Sequence, residues 1–120
     1  MIEHEDIYKG FNLKVVATDM GHRCGYIRIP INHPLHIVDH DEEAVNTLNV
    51  HGGITYAQFE DDEEWWIGFA CTRIGDAKDP ALMNDKWKKF YEDYPWHYSG
   101  TVRTKEFVIA ELHNLIDQIA

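Results

Sequence analysis

Two tryptophans in succession, Trp65-Trp66, head the run Trp65-Trp-Ile-Gly-Phe69. Successive side chains of a strand point to opposite faces, so one indole enters a core while the other lies over a helix, a partner or a ligand. The run predicts a strand over residues 65–72. Trp65, Ile67, Phe69 and Cys71 share its apolar face; Trp66, Gly68, Ala70 and Thr72 share the other. His51-Gly-Gly-Ile-Thr-Tyr56, on the far side of an acidic connection at residues 60–64, reads as a facing strand over residues 50–57, opened by Gly52 and Gly53. Strict alternation sets Val50, Ile54 and Tyr56 on its core side and His51, Gly53, Thr55 and Ala57 on the other.

Residues 13–18 are rich in β-branched side chains, residues 19–22 have turn composition, and residues 23–29 return as a strand that ends at Pro30, which makes a hairpin. Residues 31–49 read as loop, with one helical turn starting in Asp41-Glu-Glu-Ala-Val. Asp79-Pro80 has the composition of a helix start, an N-cap followed by proline at the first helical position. Met83, Trp87, Phe90, Tyr91 and Tyr94 follow at helical spacing, and Pro95 stops the run. Thr104 can cap a last helix whose apolar stripe is Val108, Leu112, Leu115, Ile116 and Ile119. The predicted fold is α+β: one domain over residues 1–120, a small antiparallel β-sheet packed by a C-terminal helix and a second, aromatic-rich helix.

A formal charge of -10 opposes direct binding of nucleic acid or of an anionic membrane surface. No run of 18 apolar residues is present to span a bilayer. The opening Met-Ile-Glu-His-Glu-Asp is too acidic for a secretory signal, so a cytoplasmic location with Cys24 and Cys71 as reduced thiols is expected.

The face of the sheet opposite the apolar one collects small residues edged by polar and aromatic ones. Tyr26, Arg28, His51, Gly53, Thr55, Trp66 and Thr72 fall there, with Asp76 just past the strand end. Such a floor suits a small anionic or nucleotide-like ligand: Trp66 and Tyr26 stack on a base and Arg28 meets the anion. The competing expectation is that the second helix packs closely on these glycines. No catalytic residue, metal or cofactor is assigned. His22, Cys24, His51 and Cys71 match no standard zinc spacing, and Pro34 breaks the register of His33, His36 and His40. Two other function classes stay open. The acids at residues 60–64 could engage a host protein as a nucleic-acid mimic. His51 and Asp76, with Arg28, could serve as the acid–base set of a small hydrolase. A homo-oligomer is compatible with either.

Several runs, taken in order, are similar to a family of small uncharacterised bacteriophage and prophage proteins. They are Cys24-Gly-Tyr-Ile, Pro30, His33-Pro34-Leu35, Val50-His-Gly-Gly-Ile-Thr-Tyr56, Trp65-Trp-Ile-Gly-Phe69, Cys71, Gly75-Asp76 and Glu106-Phe-Val-Ile-Ala-Glu111-Leu, within residues 13–119. The resemblance implies a phage-encoded protein in the cytoplasm of an infected bacterium. By analogy with other small phage proteins, it implies one that sequesters a nucleotide immune signal in counter-defence. Ala70 stands where that family often has aspartate, and Thr72-Arg73 where it has Ala-His. These departures weaken an enzymatic reading.

Overall fold

The computed structural model describes all 120 residues. Five strands, β1 (Ile2–Tyr8), β2 (Phe11–Ala17), β3 (Arg23–Ile29), β4 (Tyr56–Phe59) and β5 (Trp65–Ala70), form an antiparallel sheet in the order β1-β2-β3-β5-β4. A short α1 (Glu43–Asn46) lies in the long connection between β3 and β4. After β5 come β6 (Asp76–Ala77), α2 (Asp85–Glu92), a 3-10 turn (Pro95–Tyr98), β7 (Thr101–Val102) and the C-terminal α3 (Lys105–Ile119). β6 and β7 pair in parallel, outside the main sheet. The fold is α+β, as the patterning predicts: an antiparallel sheet packed by a C-terminal helix and a second helix. None of the helices is long and apolar enough to cross a membrane.

The alternation of β5 is realised. Leu13, Ile27, Ile67 and Ala57 stand side by side across β2, β3, β5 and β4, and with Val15, Ile29, Trp65 and Phe69 they face the core. α3 covers that face. Thr104 caps it by accepting a hydrogen bond from the Phe107 N–H at 3.1 Å, which satisfies one of the helix's free donors. Val108, Leu112, Leu115 and Ile116 are fully buried, each contributing about 1.5–3 kcal/mol relative to exposure. The helix comes this close because β3 carries Gly25 beneath it. A Cβ there would lie 2.8 Å from the Phe69 ring, 2.9 Å from Val108 and 3.1 Å from Leu112.

Four expectations need correction. Residues 2–8 form a strand the patterning does not announce. Its Glu3, Glu5 and Asp6 belong to an edge strand, where charges block further pairing. α2 starts at Asn84, whose side chain accepts from the Trp87 N–H at 3.0 Å, and not at Asp79-Pro80. The Asp79 carboxylate is engaged by Arg23 at 3.1 Å and by the Ala81 N–H at 3.0 Å. β4 starts at Tyr56, not Val50, because Gly52 and Gly53 take φ of 71° and 77° and turn the chain. Alternation therefore fails across them: Tyr56 opposes Gly68 on the outer face and Ala57 opposes Ile67 on the core face, the reverse of the expected sides. Finally, α2 does not roof the glycines of the outer face. It stands at the end of the sheet, held through Asn84 N–H to Asp19 C=O (3.3 Å) and Met83 against Gly21.

If α3 seats on the sheet through Gly25, Gly25→Ala overpacks that contact. The expected cost is about 1–3 kcal/mol, read as a lower midpoint in urea with an unchanged slope. An unaltered midpoint would show that the helix does not depend on this close approach.

Candidate functional site

The Asp76 carboxylate takes donors from three separate residues. Its side chain is 1% exposed. Oδ2 accepts from the Arg73 backbone N–H at 3.0 Å and lies 2.8 Å from His51 Nε2, while Oδ1 accepts from Arg103 Nε at 2.7 Å. Burial pushes this carboxyl up, but the donors from His51, Arg103 and the Arg73 backbone outweigh it and hold it below its ordinary value. Three separate segments thus meet on one acid. His51 is fixed further by its own N–H donating to Glu111 of α3 at 2.8 Å and by the edge of its ring on Phe107. His51 Nδ1 makes no hydrogen bond and is not buried. Arg73 also donates to the Gly52 carbonyl.

Next to this cluster lies a cavity of about 580 Å³, walled by the segment 72–78 and by residues 96–100. Arg73, Lys78 and His97 bring basic groups to it, Asp76 brings a carboxylate already paired with Arg103, Thr72 and Ser99 bring hydroxyls, and Trp96 brings a ring that is 61% exposed. Burial draws the Lys78 amine below its usual range, against the pull of Asp76. The walls are tied together by Lys78 N–H to His97 C=O (2.7 Å) and Thr101 N–H to Gly75 C=O (2.8 Å). Gly100, with φ of 106°, passes so close to Gly75 that a Cβ would lie 2.2 Å from its carbonyl oxygen; only glycine fits there.

The predicted site residues divide between two places. Tyr26, Arg28 and Trp66 are together on the outer face of the sheet. His51, Thr72 and Asp76 belong to the junction just described. Gly53 lies in the turn before β4, and Thr55, exposed, donates its N–H to the Gly68 carbonyl at 2.9 Å. The single floor inferred from alternation is divided because Gly52 and Gly53 send His51 toward α3, the opposite side from Trp66.

On the outer face the rings are already covered. Trp66 is 7% exposed: Lys14 Nζ sits 4.3 Å above its ring centre and its Nε1 donates to Asp62 at 3.2 Å. Tyr26 fills the space left by Gly68 and meets Tyr56 edge to face at 4.9 Å. Lys14 also pairs with Glu60, which accepts from the Tyr56 hydroxyl at 2.8 Å; burial and then Glu60 push that phenol up to about 12. Arg28 borders a cavity of about 530 Å³ that it shares with Glu5, Asp6 and Asp62, carboxylates that repel an anion.

The residues grouped as metal-ligand candidates do not converge. His33 bonds Leu35 N–H and the Ile119 carbonyl, and His22 bonds Thr18 at the β2–β3 turn. Cys71 sits in the core, where burial and then Asp76 push its thiol up to about 12, far from a thiolate. Patterning misses Arg103, Lys78, Trp96 and His97. A signal for them exists in charge: residues 72–105 hold seven lysines and arginines against five acids, whereas the rest of the chain holds four against sixteen.

Because its folded-state value is depressed, Asp76 contributes stability that is present above its ordinary value of 3.8 and is lost as pH falls through the lower folded value. Asp76→Asn is expected to cost about 1.5–3 kcal/mol at neutral pH, the scale of hydrogen bonds to a charged group. Thermal unfolding of wild type and variant should converge as pH drops below 3.8; a gap that stays constant into strong acid would show that the carboxylate charge is not what holds the cluster.

No family model, curated protein or solved structure matches the chain.

Proposed function

We propose that this is a binding protein for a small anionic, nucleotide-like ligand, held in the cavity between residues 72–78 and 96–100. The observation that carries the reading is the gathering of Arg73, Lys78 and His97, with the exposed Trp96 ring, around one cavity of about 580 Å³ in a chain of net charge -10. Arg73 and Lys78 meet the anion, Trp96 stacks on a planar base, and Thr72 and Ser99 hydrogen-bond the sugar or phosphate oxygens. No cofactor is required. The resemblance of the sequence runs to phage proteins supports a role in the cytoplasm of an infected bacterium, sequestering a nucleotide signal.

A specific observation favours a second reading, a small hydrolase. His51 is oriented by Asp76 at 2.8 Å through Nε2, with Nδ1 free of protein partners, as a general base held by an acid would be. His51 does not line the cavity, however, so binding without turnover is the better-supported function. The third class, an acidic mimic, loses support because Glu60 and Asp62 turn onto Lys14, Tyr56 and Trp66.

Calorimetric titration with 5′-AMP, cyclic dinucleotides and ADP-ribose tests the proposal. At least one is expected to bind, with Arg73→Ala and Lys78→Met each weakening it about tenfold or more, equal to about 1.4 kcal/mol. Arg28→Ala should leave binding unchanged, and the ligand should be recovered intact. No heat with any of these probes, or loss confined to Arg28→Ala, would reject the cavity. A cleaved product that disappears in a folded His51→Ala variant would establish the hydrolase instead.

A further inference from the structure

Arg28 is half-buried on the outer face of the sheet, opposite Trp66 across β3 and β5. Unlike Arg23 and Arg103, it joins no ion pair. Its Nε is buried without a hydrogen-bond partner, and a buried donor left unsatisfied calls for a physical reason. The terminal nitrogens also lack a protein partner but are not buried, and the side chain borders the cavity of about 530 Å³. Three carboxylates share that cavity and stay apart from the guanidinium. Asp62 is held by Trp66 Nε1 at 3.2 Å and by the Glu64 N–H at 3.0 Å. Asp6 accepts from the Ile7 N–H at 2.7 Å and lies 3.8 Å from His4. Glu5 is exposed, and Asn12, opposite Ile7 across β1 and β2, adds an amide.

One guanidinium among three carboxylates leaves this cavity negative overall, so it repels a simple anion. A simple diamine, in turn, leaves Arg28 unpaired. The ligand that answers every group carries one carboxylate and two cations. We infer that this cavity is a second binding site, for a free basic α-amino acid, arginine or lysine. The α-carboxylate takes the two terminal nitrogens of Arg28 end-on. The α-ammonium and the side-chain cation go to Glu5, Asp6 and Asp62, and the methylenes lie on Ile7, which is 64% exposed. Glu5, Asn12, Arg28 and Trp66 stand on strands paired in register, so binding orders little of the protein. The site shares no residue with the cavity between residues 72–78 and 96–100, and the inference is independent of that reading.

Chemical-shift titration of the full chain with four probes reads it out: L-arginine, L-lysine, agmatine (arginine without its carboxylate) and Nα-acetyl-L-arginine (arginine without its α-ammonium). Both amino acids should give saturable shifts at Glu5, Asp6, Asn12, Arg28 and Trp66. Agmatine and the acetylated arginine should each bind about tenfold more weakly or worse than arginine. Arg28→Gln should bring arginine down to the level of agmatine and leave agmatine itself unchanged. Glu5→Gln, at an exposed position, should weaken arginine and agmatine alike. If Arg28→Gln does not fold, the comparison of arginine with agmatine on the wild type decides. No saturable shift at these residues with either amino acid would overturn the proposal, as would agmatine binding as tightly as arginine. Acetylated arginine binding as tightly as arginine would overturn it in favour of a peptide C-terminus. A folded Arg28→Gln variant that keeps the wild-type preference would overturn it too.

Discussion

The buried Asp76 carboxylate is satisfied by three donors from three separate segments of chain, and the junction of this molecule is arranged around it. Asp76 takes its donors from the turn before β4, from the segment before β6 and from the residue preceding the cap of α3. The position of Arg103 depends on where α3 begins, and α3 is placed by its contact over Gly25. The packing of the core thus sets the electrostatics of the junction. Loss of the helix contact would release Phe107 and Glu111 from His51, and His51 from Asp76. A second buried ion cluster acts in parallel: Arg23, 8% exposed, joins Glu3 of β1 at 2.6 Å to Asp79 at 3.1 Å and to the Arg103 carbonyl at 3.2 Å. Removing one partner of such a cluster leaves a buried charge unpaired, which costs far more than the pairing contributes.

These clusters fasten residues 72–105, the cationic part of the chain, onto an acidic sheet. Net charge alone conceals the segregation. The field of a cavity depends on the groups around it more than on the distant total, because separated exposed charges are screened within about 10 Å at moderate salt. An anion can therefore be held beside Arg73 and Lys78 on a protein that is acidic overall, and the outer face of the sheet, where Arg28 is ringed by carboxylates, is the poorer place for it.

Much of the fold is legible in the residues. The tryptophan pair fixes the faces of β5, since parity in a strand admits no choice, and Thr104 with the Val108–Leu112–Leu115–Ile116 stripe fixes α3. Legibility fails wherever a local rule meets a tertiary demand. Asp79-Pro80 is a good helix start that the chain does not use, because Arg23 has claimed the carboxylate. Parity carries no information past Gly52 and Gly53, whose left-handed backbone reverses the facing of Tyr56. β1 is hidden because an edge strand guarded by charge lacks the apolar alternation of a buried one. His51 and Asp76 were legible as a pair. Arg103 was not, because nothing local marks an arginine that acts 27 residues from its partner in sequence.

The central claim is that the ligand site lies at the junction of residues 72–78 with residues 96–100, and not on the outer face of the sheet. Amide chemical-shift mapping of the isotope-labelled protein during addition of 5′-AMP or ADP-ribose locates the site residue by residue. The account predicts shifts concentrated at Thr72, Arg73, Gly75, Lys78, His97 and Gly100, with the Trp96 indole signal moving among the first. Shifts centred instead on Tyr26, Arg28 and Trp66, or none at all at saturating ligand, would contradict it.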